Sequence, residues 1–307
     1  MSRASVFRLT AACRGQYRMI ATVIDPIQEQ TMTSTAKTFL LMAALTALFM
    51  FVGSALAGRQ GMILALFMAV GMNFFAYWYS DRLALSMNGA QEVSESEAPH
   101  LHALVAELAN RAALPKPRVY VVQSDTPNAF ATGRDPEHAA IAVTSAIMQA
   151  LNRDELAGVL SHELAHIKNR DILISSIAAV MAGAIAHLTT MAMFFGGSRD
   201  SENSNPIAAL AAMIVAPLAA SLIQLAISRS REYLADATGA HICGRPLALA
   251  SALDKLTHYN EAHPMNVNPA SAQMYIVNPL SGGQLAGLFS THPPMAERIR
   301  RLRGMRL

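Results

Sequence analysis

Two apolar runs separated by three residues constrain this chain more than any other feature. The first extends from Phe39 to Ala57 and the second from Gly61 to Tyr79, with Gly58-Arg59-Gln60 between them. Each is about as long as a helix needs to cross a bilayer core, roughly 20 residues. So short a connection implies a tight helical hairpin. Tyr77-Trp78-Tyr79 has the character of an interfacial belt at its end. Two further runs, Ile172 to Phe195 and Ile207 to Ser228, flank a polar, turn-rich loop at 196–206. Alanine-rich runs also occur as buried helices of soluble proteins, but their length favours four transmembrane helices. Composition agrees: only 15% of the 307 residues are charged, against about 25% in average soluble domains.

The net charge of +3, from 24 basic and 21 acidic residues, is too small to argue for a nucleic-acid partner. The densest basic group is Arg298, Arg300, Arg301, Arg303 and Arg306, which reads as a solvated helix face near an anionic lipid surface. The two cysteines, Cys13 and Cys243, suggest neither a disulfide framework nor a thiolate metal site.

The chain divides into an N-terminal extension and leader (1–36), the hairpin (37–79), a polar region (80–171), the third and fourth spans with their loop (172–228), and a second polar region (229–307). Residues 1–31 carry Arg3, Arg8, Arg14 and Arg18 before the first acid, Asp25, a composition shared with organellar transit segments. The plainer reading takes Met32 as the initiator and gives residues 1–31 no function. Both polar regions hold most of the Lys and Arg, whereas the 196–206 loop has one Arg against two acids. The positive-inside rule then puts both polar regions in the cytoplasm.

Within the first polar region, Pro99 to Ala113 has helical periodicity and Arg118 to Val122 is rich in β-formers. Asn128 to Pro136 reads as a turn and His138 to Val143 as a returning strand. Thr144 or Ser145 suits the cap of a short helix, and Asn152 that of a second, with Asp154 and Glu155 in its first turn.

That second helix carries Ser161-His162-Glu163-Leu164-Ala165-His166. Histidines four apart share a helical face, so His162 and His166 can bind one metal ion. Glu163 is turned toward the position of an attacking water, as a general base requires. Two imidazoles and a carboxylate suit one Zn2+ per chain. Glu232 in Arg231-Glu232-Tyr233-Leu234-Ala235-Asp236 offers that carboxylate, and Asp236, four residues on, can fix the tautomer of a ligating histidine. A solvated pair of like charges at this spacing is the alternative, and it is unfavourable. His166 lies six residues before the third run and Glu232 four after the fourth. Antiparallel spans would bring both segments out on one side of the membrane. If the helices continue unbroken, the ligands lie roughly 6–9 Å beyond the apolar boundary.

With Asn128-Ala129-Phe130-Ala131-Thr132-Gly133 and Ser290-Thr291-His292-Pro293-Pro294, these motifs resemble the HtpX family of membrane-bound heat-shock metalloproteases, relatives of the CAAX prenyl endopeptidases. The resemblance covers about residues 33–307. It implies a mainly α membrane protein with a zincin-like α+β catalytic domain, four transmembrane helices and a small edge β-sheet. It implies a multi-pass protein of the bacterial inner membrane that cleaves misfolded or damaged membrane proteins at the cytoplasmic face, in stress response and quality control. Asn128, Ala129 and Phe130 then line the edge on which substrate lies, and His292 steadies the oxyanion. From the residues alone, Asn128 to Gly133 is an ordinary turn and His292 precedes a helix-starting Pro-Pro. Arg298, six residues after His292, either pairs with an acid near the site or is a solvated charge, and the solvated reading is preferred; His187 reads as structural. The competing functions are processing of one defined substrate and a catalytically silent membrane scaffold. The second predicts loss of Glu163 or a ligand, and none is lost.

Overall fold

The computed structural model describes residues 3–181, 229–262, 275–277 and 293–307. Helix α1 (Arg3–Met87) folds back on itself where Ala57 and Gly58 leave helical geometry. Gly58 has φ +57°, which glycine adopts without the steric cost a Cβ imposes. The arms, Thr35–Ala55 and Ala57–Met87, are each long and apolar enough to cross a membrane. They meet at glycine: a Cβ on Gly53 would lie 2.5 Å from the Gly61 carbonyl oxygen. Deeper in, Asn73 donates to Thr46 Oγ1 at 2.8 Å. Small residues and a polar clasp are how helices associate where both sides are equally apolar. Outside the contact, Phe51 and Phe67 are each 72% exposed, an apolar surface suited to lipid.

The rest builds a small α+β domain. A four-stranded sheet has the order β1 (Ala90–Glu92), β2 (Arg118–Val122), β4 (Ala140–Thr144), β3 (Ala129–Thr132). β2 and β4 are parallel; β3 runs antiparallel to β4 with Ala129 opposite Val143 and Ala131 opposite Ile141. Val119, Val121, Ile141 and Val143 face the main core, while Tyr120, Val122, Phe130 and Ala142 pack with Leu85 on the other face. This alternation is the two-residue period of a strand, with both faces covered. The stretch that reads as a turn from its residues alone contains the edge strand that the resemblance implies. The helices are α2 (Pro99–Ala112), α3 (Ser145–Ala150), α4 (Arg153–Lys168), α5 (Ile172–Met181), α6 (Arg229–Cys243), α7 (Pro246–Ala262) and α8 (Met295–Arg303).

Helix α4 starts where the sequence marks it. Asn152 Oδ1 accepts from the Glu155 amide and Glu155 returns the bond to the Asn152 amide, both at 3.0 Å. Such a cap contributes about 1 kcal/mol. Thr144 caps α3 in the same way through the Ile147 amide. The end of α4 departs from expectation. Arg170 takes a left-handed φ of +59°, so α4 and α5 are two helices joined by an elbow, not one unbroken rod. α5 then packs on the hairpin through Ile174, Ile177 and Met181 against Leu41, Leu45 and Ala76. Residues 182–228, with the rest of the third run, His187, the loop and the fourth run, lie outside the described residues.

Candidate metal centre

α4 is buried along most of its length because helices press on it from two sides. A Cβ on Gly158 would lie 2.8 Å from the Leu249 amide nitrogen, so glycine lets α7 approach. A Cβ on Gly239 would lie 2.9 Å from His162 Cα. That second close approach sets α6 against the histidine and so positions Glu232, two turns earlier.

The three expected ligands converge. His162 Nε2 and His166 Nε2 stand 3.2 Å apart. Glu232 presents one oxygen 3.7 Å from the first and the other 3.6 Å from the second. Among the described residues, His162, His166 and Glu232 are the group that could hold a metal ion. Nitrogens at the usual zinc distance on a tetrahedral ion stand about 3.3 Å apart, so the spacing fits. The family of donors fits as well, two imidazoles and a carboxylate.

Each histidine is backed by an aspartate, and each aspartate by an arginine. His162 Nδ1 lies 3.0 Å from Asp236 Oδ1. Arg298 holds that carboxylate through two bonds, at 2.7 and 2.8 Å. His166 Nδ1 lies 3.4 Å from Asp171 Oδ2, and Arg231 Nη1 lies 3.9 Å from Asp171 Oδ1. Both ring Nδ1 atoms thus face carboxylates, which leaves Nε2 turned to the centre. Burial opposes ionisation of Asp236, but Arg298 and His162 outweigh it and hold the carboxyl at about 2. Burial alone would lower the His166 imidazole; the Asp171 bond and the charges of Glu232 and Glu163 raise it to about 9.

Arg298 corrects the sequence reading. It is fully buried and not a solvated charge, whereas Arg300, Arg301 and Arg303 are exposed as expected. The signal was present: Met295, Arg298, Ile299 and Leu302 fall on one helical face. Asp171 was missed because it reads as part of the polar Lys168-to-Asp171 stretch ending the motif.

Glu163 is buried beside the ligands, and its Oε2 accepts from the Ala131 amide at 2.9 Å. Burial pushes its carboxyl above the ordinary value, against the pull of His162, His166 and the Ala131 bond. Because Ala131 N–H points at Glu163, the backbones of Ala129 and Ala131 face the outer edge of β3, while Asn128 exchanges bonds with Thr144 on β4. The Asn128 side chain accepts from the Ile276 amide at 3.2 Å, and Ile276 in turn accepts from Arg298. The Phe130 side chain is buried on the opposite sheet face with Leu85. His292 lies outside the described residues.

A family model described as peptidase family M48 matches residues 95–306. A "Protease HtpX homolog" of Ralstonia pickettii (strain 12J) is 58% identical over 274 residues, covering 88% of this chain and 96% of the relative. The chain is an M48 metalloprotease of the HtpX family. A homologue from Methylibium petroleiphilum is 56% identical over 278 residues, covering 89% of this chain and 98% of its own. The crystal structure of S. mikatae Ste24p aligns with a TM-score of 0.48 at 19% identity, covering 89% of this chain and 66% of that one. Membership in M48 implies a metal ion, generally zinc, at the cluster of His162, His166 and Glu232.

Proposed function

We propose that this HtpX-family protease is a membrane-anchored zinc endopeptidase that cleaves misfolded or damaged membrane proteins at the cytoplasmic face. One observation carries the chemistry: two Nε2 atoms and the Glu232 carboxylate converge beside a buried Glu163 whose carboxyl titrates above its ordinary range. His162, His166 and Glu232 would hold the ion, with Asp236 and Asp171 fixing the rings. When bound, zinc supplies a Lewis acid at the centre. Glu163 takes a proton from the attacking water and returns it to the leaving amine.

The outer edge of β3 supplies the substrate platform. Among the described residues β3 pairs with β4 alone. A substrate strand laid along the Ala129 amide and the Ala129 and Ala131 carbonyls is held through its backbone, the Ala131 amide being taken by Glu163, so specificity is loose, as clearance of damaged proteins requires. Asn128 sets the start of that edge through Ile276. His292, by the family resemblance, would steady the oxyanion. The cytoplasmic orientation rests on the basic flanks of both polar regions and the multi-pass topology on the four apolar runs.

The detergent-purified chain should cleave an unfolded protein after zinc is added to metal-stripped enzyme, and should spare the same protein when folded. Cleavage confined to one site in one substrate would replace this reading with that of a processing enzyme.

A further inference from the structure

A cavity of about 240 Å³ opens where the hairpin meets the catalytic domain. Its lining joins Thr35, Phe39 and Tyr77 from the hairpin to Arg134 after β3, and to Arg170 and Leu173 at the α4–α5 elbow. The two arginines are the cations of this lining, and Asp135 is its acid. Asp135 accepts from the His138 amide at 2.8 Å and from Arg134 Nε at 3.3 Å, and stands 2.6 Å from His138 Nδ1. Arg134 is fixed from three sides, with Nε on Asp135 at 3.3 Å, Nη2 2.7 Å from His138 Nε2 and the guanidinium 4.9 Å from the Trp78 ring centroid, so Nη1 is the nitrogen left to a ligand. Arg170 is exposed and held in a left-handed conformation that costs a non-glycine residue strain. Phe39, which is 54% exposed, and Leu173, which is buried against the hairpin, give the cavity an apolar side.

We propose that this cavity binds the phosphate of an anionic phospholipid, with Arg134 and Arg170 on the phosphate and an acyl chain running past Phe39 and Leu173. An arginine pair suits a phosphate diester through its several N–H donors. Hydroxyls at Tyr77 and Thr35 add donors to the lining, and the apolar side distinguishes a lipid from a free ion. The bound lipid has a route to the protease centre at both ends. Arg134 follows Gly133, whose amide donates to Ser176 of α5 as Thr132 Oγ1 contacts the same hydroxyl. Arg170 precedes Asp171, which backs His166. The proposal rests on the reading of the hairpin as membrane-spanning.

The test is native mass spectrometry of the full chain in detergent with phosphatidylglycerol or phosphatidylcholine. Arg170→Asn is the main variant, because asparagine tolerates the left-handed backbone and the side chain is exposed. Arg134→Gln/Arg170→Asn is the second. Wild type should retain phosphatidylglycerol over phosphatidylcholine, and retention should fall about fivefold for each arginine removed. An unchanged thermal midpoint in Arg170→Asn keeps that loss separate from misfolding. Equal retention by wild type and Arg170→Asn overturns the site. Displacement of the lipid by equimolar glycerol phosphate overturns the lipid assignment in favour of a free phosphate. Recovery of the chain from the alkali-extracted soluble fraction would instead overturn the membrane reading on which the proposal rests.

Discussion

Arg298 grips Asp236 through a planar fork, Nε to Oδ2 at 2.8 Å and Nη2 to Oδ1 at 2.7 Å. The same Oδ1 stands 3.0 Å from His162 Nδ1, so the arginine sets the orientation of a metal ligand it does not itself replace. A lysine ammonium cannot reproduce the fork. Arg298→Lys is expected to weaken zinc retention about 10–100-fold, measured by competition with a chromogenic chelator. Arg298→Ala removes the cation from the buried Asp236 carboxylate and leaves it only His162, and should cost about 3–5 kcal/mol, read as a lower thermal midpoint in detergent.

Gly239 has a role that its position outside every motif conceals. A Cβ there meets the His162 backbone at 2.9 Å, so Gly239→Ala must push α6 away from α4. The expected cost is about 1–3 kcal/mol of stability, with a parallel loss of zinc affinity as Glu232 moves. Gly304→Ala is the control, because its Cβ finds the Arg300 carbonyl oxygen at an ordinary 3.6 Å.

Glu155 separates helix stability from metal chemistry. It closes the α4 cap and also accepts from Ser251 at 2.7 Å and Lys255 at 2.8 Å, tying the helix start to α7. Glu155→Ala should lower stability by about 1–2 kcal/mol while leaving zinc stoichiometry at one per chain in the folded protein. Loss of zinc without loss of stability would contradict this division.

Zinc affinity should depend on pH in a stated direction. With no metal bound, His166 holds its proton up to about 9, and that proton must leave before Nε2 can bind an ion. Affinity should therefore rise with pH toward 9 and fall about tenfold for each unit below it, for one proton released. Chelator competition at pH 6, 7 and 8 measures the slope; a flat profile would contradict it.

The spacing of His162, Glu163 and His166 was legible because a helix converts four residues into one face, and the Asn152 cap marked where that helix begins. Glu232 and Asp236 were legible by the same rule on α6. Arg298 was misread because a run of arginines suggests solvent, although only one of them lies among Met295, Ile299 and Leu302. Asp171 was hidden by the Arg170 elbow, since a backbone turn, not helical periodicity, returns it to His166. The strand at Ala129–Thr132 was masked by small and polar residues. Its burial comes from packing against α4 and the sheet, which no local pattern announces.

The account stands on Glu163 as the base beside a bound zinc ion. Glu163→Gln keeps the size of the side chain and an acceptor for the Ala131 amide, but loses the carboxylate. The measurement is zinc content and cleavage of an unfolded protein by this variant beside wild type. One zinc per chain with cleavage down at least about 100-fold is the expected result. Cleavage at the wild-type rate, with zinc in place, would contradict the assignment of Glu163 and the chemistry built on it.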